Sequence, residues 1–208
     1  MSGGLRRGGG TPGTPRAGYS GEQTRLTLQE SATRLGAFCW TERRLFEVLG
    51  AAVGVLASAD SKILVDRHAA HAAWRGQQWW ERLPVLAQVD REELVAPESP
   101  GVAALYRSLS SCAPREDNGS PAPLGPVGLL AGLYRVALPR LGASYATYRA
   151  LTSLVSDAPA RRTLSQVEAD LEVDRAEGES FVHSLLTCEE AIDEAAAAMA
   201  TLEKLLLA

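Results

Sequence analysis

Apolar residues recur every three or four positions over four long stretches of this chain, the spacing of helices that each hide one face. In the first stretch, from about 22 to 59, Leu35, Phe38, Leu45, Phe46, Leu49, Val53 and Leu56 keep the rhythm, and Glu42 is the only charge among them. The segment "SADS" supplies Ser58, Asp60 and Ser61 as turn and cap residues. A second stretch runs from Ser61 to about Leu83, where Pro84 ends or kinks it. So short a loop predicts two antiparallel neighbouring helices. The third stretch spans Val127 to Val155, with a kink expected at Pro139, and the fourth runs from Ala160 to the C-terminus. Its stripe steps through Leu164, Val167, Leu171, Asp174, Gly178, Phe181, Leu185, Cys188, Ile192, Ala195, Met199, Leu202 and Leu206. This pattern outruns the others, so its end is expected either to break away or to pair with a second protomer, which makes a homodimer a candidate assembly.

Residues 85 to 125 mix acidic residues with repeated Pro and Ser, and only Val102 to Leu109 keep a helical rhythm. They read as a connector. The first 21 residues, rich in Gly, Pro and Thr, read as a disordered arm, which leaves 22–208 as one helical domain. No alternating apolar pattern and no internal repeat is present, so sheets and solenoids drop out. The prediction is an all-α bundle of four helices, built as two antiparallel hairpins joined by a long connector.

Composition narrows the partners more than the chemistry. A net charge of −4 and a pI near 5.5 provide no basic face for nucleic acid, and no run is long and apolar enough to span a membrane. Cys39, Cys112 and Cys188 cannot all pair and show no CxxC spacing, so free thiols in a cytoplasm are expected. Two lysines against nineteen arginines, with abundant alanine, suggest a bacterial source. No P-loop, GxSxG or HExxH is present.

The chemistry lies in the few polar residues on the apolar stripes. The second helix carries a row of Leu64, His68, His71, Arg75, Gln78 or Trp79, and Arg82. Arg82 falls in the last turn, where a cation suits the helix end, but Arg75 has no such outlet. Counted from the turn near Ala59, Glu42 lies 17 residues back and Arg75 16 forward, and Asp174 lies a similar distance past the turn near Ala158. At about 1.5 Å per residue these three reach one level, so Glu42, Arg75 and Asp174 are expected to form a buried cluster, with His71 a turn away. Such a cluster is either a buried ion-pair network or a site. The third helix offers Tyr134, Tyr145 and Tyr148 as hydroxyl partners, and with Trp79 these are candidate pocket residues.

Two helical hairpins, a long crossover and interior acids and histidines together resemble the ferritin-like superfamily. In its diiron members each hairpin supplies a glutamate from one helix and a Glu-x-x-His from the next. Glu42 matches the first glutamate and His71 the first histidine, but in "HAAH" His68 stands where a bridging glutamate is needed. No Asp or Glu occurs from Val127 to Val155, and in "ESFVH" Ser180, not glutamate, precedes His183 by three. The resemblance therefore implies the fold without an intact diiron site. The expected role is a small-molecule-binding or assembly protein with no cofactor. One alternative is a metal-dependent oxidoreductase holding Fe, Mn or Zn on Glu42, His68, His71 and Asp174. Another is a metal-free enzyme using the mid-bundle carboxylates as acid or base.

Overall fold

The computed structural model describes residues 26–87, 89–110 and 124–207, and every long element among them is helical, with no strand beyond an isolated bridge between Leu86 and Val89. The chain is all-α. Residues 1–25, and Cys112 in the connector, lie outside the described residues.

Helix α1 (Leu28–Val55) begins at a capping box, in which Thr27 accepts from the Glu30 N–H and the Glu30 carboxylate accepts from the Thr27 N–H. It stops at Val55, short of Ala59, because Ser58 already caps α2 (Ala59–Arg82) by accepting from the Ser61 N–H. Leu45, Val48, Leu49 and Ala52 of α1 are buried. Phe46, expected on that stripe, is instead 46% exposed: it stands about 100° round the helix from buried Leu45, beside exposed Glu47. The connector folds into a 3-10 turn (Glu92–Leu94) and a short helix, α3 (Pro100–Ser110), both laid on α1.

The third stretch is one winding in three parts: α4 (Pro126–Ala131), a π-helical segment (Gly132–Ala137) and α5 (Leu138–Leu151). Proline at 139 cannot donate to the carbonyl of residue 135 and crowds it, and the looser winding falls on the residues that precede it. Helix α6 (Ala158–Leu185) packs on α2 and on α4–α5.

Side-chain pairs set the directions. His68 meets Tyr134 and Trp79 meets Tyr145, so α2 and the α4–α5 helix run parallel. Arg75 meets Asp170 while His68 meets Glu177, and Arg149 meets Glu168 while Arg135 meets Glu179, so α6 runs antiparallel to both. Helices α1, α2, α6 and α5 surround one core, each touching the next.

The fourth stretch is not one helix. It breaks at Leu186–Cys188, and α7 (Glu189–Leu206) doubles back to bury Ala195, Ala198 and Leu202 against α3 and α4. Leu202 lies over Gly132, and the Glu194 carboxylate accepts from the Gly128 N–H at 2.8 Å, at the start of α4. A straight helix would have left that face in water. The break moves Cys188 off the core stripe to an exposed N-cap position, and it leaves Ile192 half exposed.

Candidate functional site

Heptad-like spacing on α2 aims His68, His71 and Arg75 at one side, and Asp170, Asp174, Glu177 and Gly178 do the same on α6. Where these rows face each other the expected cluster forms. Arg75 donates from Nε to Glu42 Oε1 at 2.8 Å, and from Nη1 to Asp174 Oδ2 at 2.7 Å and Asp170 Oδ2 at 2.6 Å. Glu42 and Arg75 are fully buried and Asp174 is 1% exposed, while Asp170 stands at the rim. Glu42, Arg75 and Asp174 thus share one level, as helix rise predicts.

Burial pushes the Glu42 carboxyl above its usual range, and Arg75 and Tyr145 pull it back. Burial also opposes the charge on Arg75, but Glu42 and Asp174 overcome it and hold the guanidinium protonated. Four carboxylates, those of Glu42, Asp170, Asp174 and Glu177, surround this seam, facing the guanidinium of Arg75 inside and that of Arg67 outside, where it pairs with Glu177.

The histidines complete the seam on its outer side. His71 is 35% exposed by side chain, and its Nδ1 lies 2.7 Å from Asp174 Oδ1. His68 is buried, with Nε2 at 3.1 Å from Glu177 and 3.5 Å from Asp174. Two carboxylates at Nε2 place the proton there, so Nδ1 accepts the Tyr134 hydroxyl at 2.8 Å. Burial pushes His68 below its ordinary value and pushes Tyr134 above the usual phenol range, so the imidazole is neutral near pH 7 and the phenol keeps its proton.

Tyr134 sits in the π-helical segment, and its ring fills the space that a side chain at 178 would take. A Cβ on Gly178 would lie 1.9 Å from Tyr134 Cδ1. Glycine is required there for close approach.

Among the other candidates, Tyr145 donates to Glu42 at 2.7 Å and accepts from Trp79 Nε1 at 2.8 Å. Tyr148 belongs elsewhere: its hydroxyl pairs with Ser31 at 3.0 Å, near the start of α1. Trp79, Tyr145 and Tyr148 join an aromatic cluster in the core. They pack on Phe38, with ring centroids 4.8 to 5.4 Å away, edge-to-face for Tyr145 and Tyr148 and tilted for Trp79.

The expected metal set of Glu42, His68, His71 and Asp174 does not assemble as one group. Glu42 faces Arg75 and Tyr145, whereas among the described residues the ligand atoms that converge within 4.8 Å belong to His71, Asp170 and Asp174. The donor set does not fit a pair of iron ions, because the third helix carries no carboxylate and a guanidinium holds the first-helix glutamate. Stripe periodicity does not single out Asp170 and Glu177, because they flank the α6 stripe. Their only sequence signal is a spacing of four before Asp174 and three after it.

Comparison with known proteins adds no assignment: no family model, no curated protein and no solved structure matches the chain.

Proposed function

We propose that the chain is a ferritin-like bundle in which the guanidinium of Arg75 supplies the positive charge that metal ions supply in the diiron members. Its role on this reading is binding or assembly, not oxidation. Two antiparallel hairpins with parallel second and third helices support the ferritin-like topology. The observation that carries the functional reading is the guanidinium bonded to Glu42, Asp170 and Asp174 at the centre of the bundle. Binding then falls to outer faces, since the interior aromatics are packed on one another and the apolar face of α7 is covered by its own chain. Trp74 and Phe46, both nearly half exposed on α2 and α1, are the side chains we assign to a partner surface, a second copy included. An arginine-rich composition and cysteines without a pairing pattern support a bacterial cytoplasm. Sedimentation of wild type and a Phe46→Glu/Trp74→Glu variant tests the assembly: a dimer lost in the variant supports it, and a monomer at every concentration rules out self-association.

A second reading has one observation in its favour. His71, Asp170 and Asp174 offer one imidazole and two carboxylates, a set that suits a single Zn or Mn ion. Arg75 holds only one oxygen of each aspartate, so it would orient both carboxylates from behind. Calorimetric titration with Zn(II) and Mn(II) tests it, with one site per chain expected, abolished by His71→Ala and retained in Glu42→Gln. Acid–base chemistry by Glu42 or Asp174 has less support, because both are almost fully buried and tied to Arg75.

A further inference from the structure

Resting on the single-ion reading above, we infer that a divalent ion at His71, Asp170 and Asp174 keeps one coordination position open to solvent. That position takes a small, singly charged oxygen donor of the carboxylate or hydroxamate class. The protein supplies too few donors to close the shell: among the described residues, the ligand atoms within 4.8 Å of one another number three, one from each residue. Arg75 Nη1 already engages one oxygen of each aspartate, Asp170 Oδ2 at 2.6 Å and Asp174 Oδ2 at 2.7 Å. Two-oxygen capture of the ion by either carboxylate would therefore give up a charged hydrogen bond to a buried guanidinium. Zn(II) is bound tetrahedrally and Mn(II) octahedrally, so three protein donors leave a position to a ligand from outside.

The neighbouring donors are committed elsewhere. Glu42 is bonded to Arg75 and Tyr145, and Glu177 to His68 and Arg67. His68 Nε2 turns its proton to Glu177 and Asp174, so it has no lone pair for the ion. The open position faces outward. Asp174 and Arg75 close the bundle side, whereas the side chains of His71 and Asp170 are 35% and 30% exposed.

Charge selects the class of ligand. With His71 in the neutral form that a metal requires, the carboxylates of Glu42, Asp170, Asp174 and Glu177 face only the guanidiniums of Arg75 and Arg67. A divalent ion offsets the two negative charges left over. A further ligand with several negative charges would overcharge this half-buried seam again, whereas a single charge on oxygen suits the ion. Water holds the position in its absence.

Co(II) takes the same donors as Zn(II) and absorbs visible light according to its coordination, so the full chain loaded with Co(II) provides the test. Titration with acetohydroxamate should shift the cobalt bands saturably, with one hydroxamate bound per cobalt. Dialysis should then restore the starting spectrum with the cobalt still on the chain. His71→Ala changes a partly exposed residue, leaves the bonds of Arg75 in place and should lose the bands. A chain that takes up no Co(II), or bands that persist in His71→Ala, would overturn the single-ion reading and this inference with it. Bands that acetohydroxamate leaves unchanged, or cobalt that departs with the hydroxamate, would overturn the inference alone.

Discussion

At one end of the bundle interior Phe38, Trp79, Tyr145 and Tyr148 meet ring against ring, and at the other His68, His71, Asp174 and Tyr134 meet through single hydrogen bonds. Arg75 and Glu42 stand between, since Glu42 also accepts from Tyr145 of the aromatic end. The two ends should fail differently. An aromatic core loses stability in proportion to the area and volume removed, so a substitute of similar size is tolerated. A buried ionic seam loses little when all its charges are replaced together, and much when one is left without its partner.

The largest effect follows from stranding those charges. Arg75→Met leaves Glu42 and Asp174 buried without a cation, and should lower the unfolding free energy by about 3–5 kcal/mol, read from the denaturant midpoint. The triple variant Glu42→Gln/Arg75→Met/Asp174→Asn should recover much of that loss. A single variant as stable as wild type would erase the contrast between the two ends. Phe38→Leu at the aromatic end, by comparison, should cost less than about 1.5 kcal/mol.

Gly178→Ala comes next. Alanine in place of a helical glycine ordinarily stabilises by roughly 0.5–1 kcal/mol, but here the new methyl meets the Tyr134 ring. We expect a loss of about 1–3 kcal/mol, smaller in a Tyr134→Leu background. A gain in stability would show that Tyr134 is not seated on α6.

The pH response sharpens the polar end. Burial lowers His68 from its ordinary value of 6.5 in the folded chain, so below that pH the unfolded chain takes up a proton that the folded chain resists. Stability from this group is complete above about pH 6.5 and is lost as pH falls through and below it, with a slope of at most about 1.4 kcal/mol per pH unit. Glu177, held low by its bond to His68, acts in the same direction at lower pH. His68→Gln should flatten the profile near pH 6, and an unchanged slope would place the titration elsewhere. The smallest effect is at the surface: Glu172→Ala breaks an exposed pair with Arg175 and should cost below about 1 kcal/mol.

Much of this interior is legible in the sequence, because helix rise and a short turn between α1 and α2 fix which residues share a level. Those two constraints bring Glu42 and Arg75 together, and the turn near Ala158 adds Asp174 at the same level. They do not find Asp170 or Glu177. Asp170 and Glu177 project from the flanks of α6, where side-chain reach and not stripe membership decides contact. Nor do those constraints seat the connector on α1, because its placement depends on tertiary packing. Nor does periodicity report the break before α7, since Cys188, Ile192 and Met199 continue the stripe on paper while α3 and α4 offer a better surface to fold back on. The π-helical segment leaves only the trace of Pro139.

On the function proposed above, the guanidinium of Arg75 and not a metal pair neutralises the carboxylates of the bundle interior. Equilibrium dialysis of the purified chain against Fe(II), Mn(II) and Zn(II), followed by elemental analysis of wild type and Glu42→Ala, tests it most directly. At most one ion per chain is expected, held without any contribution from Glu42. Two ions per chain, both lost in Glu42→Ala, would contradict it.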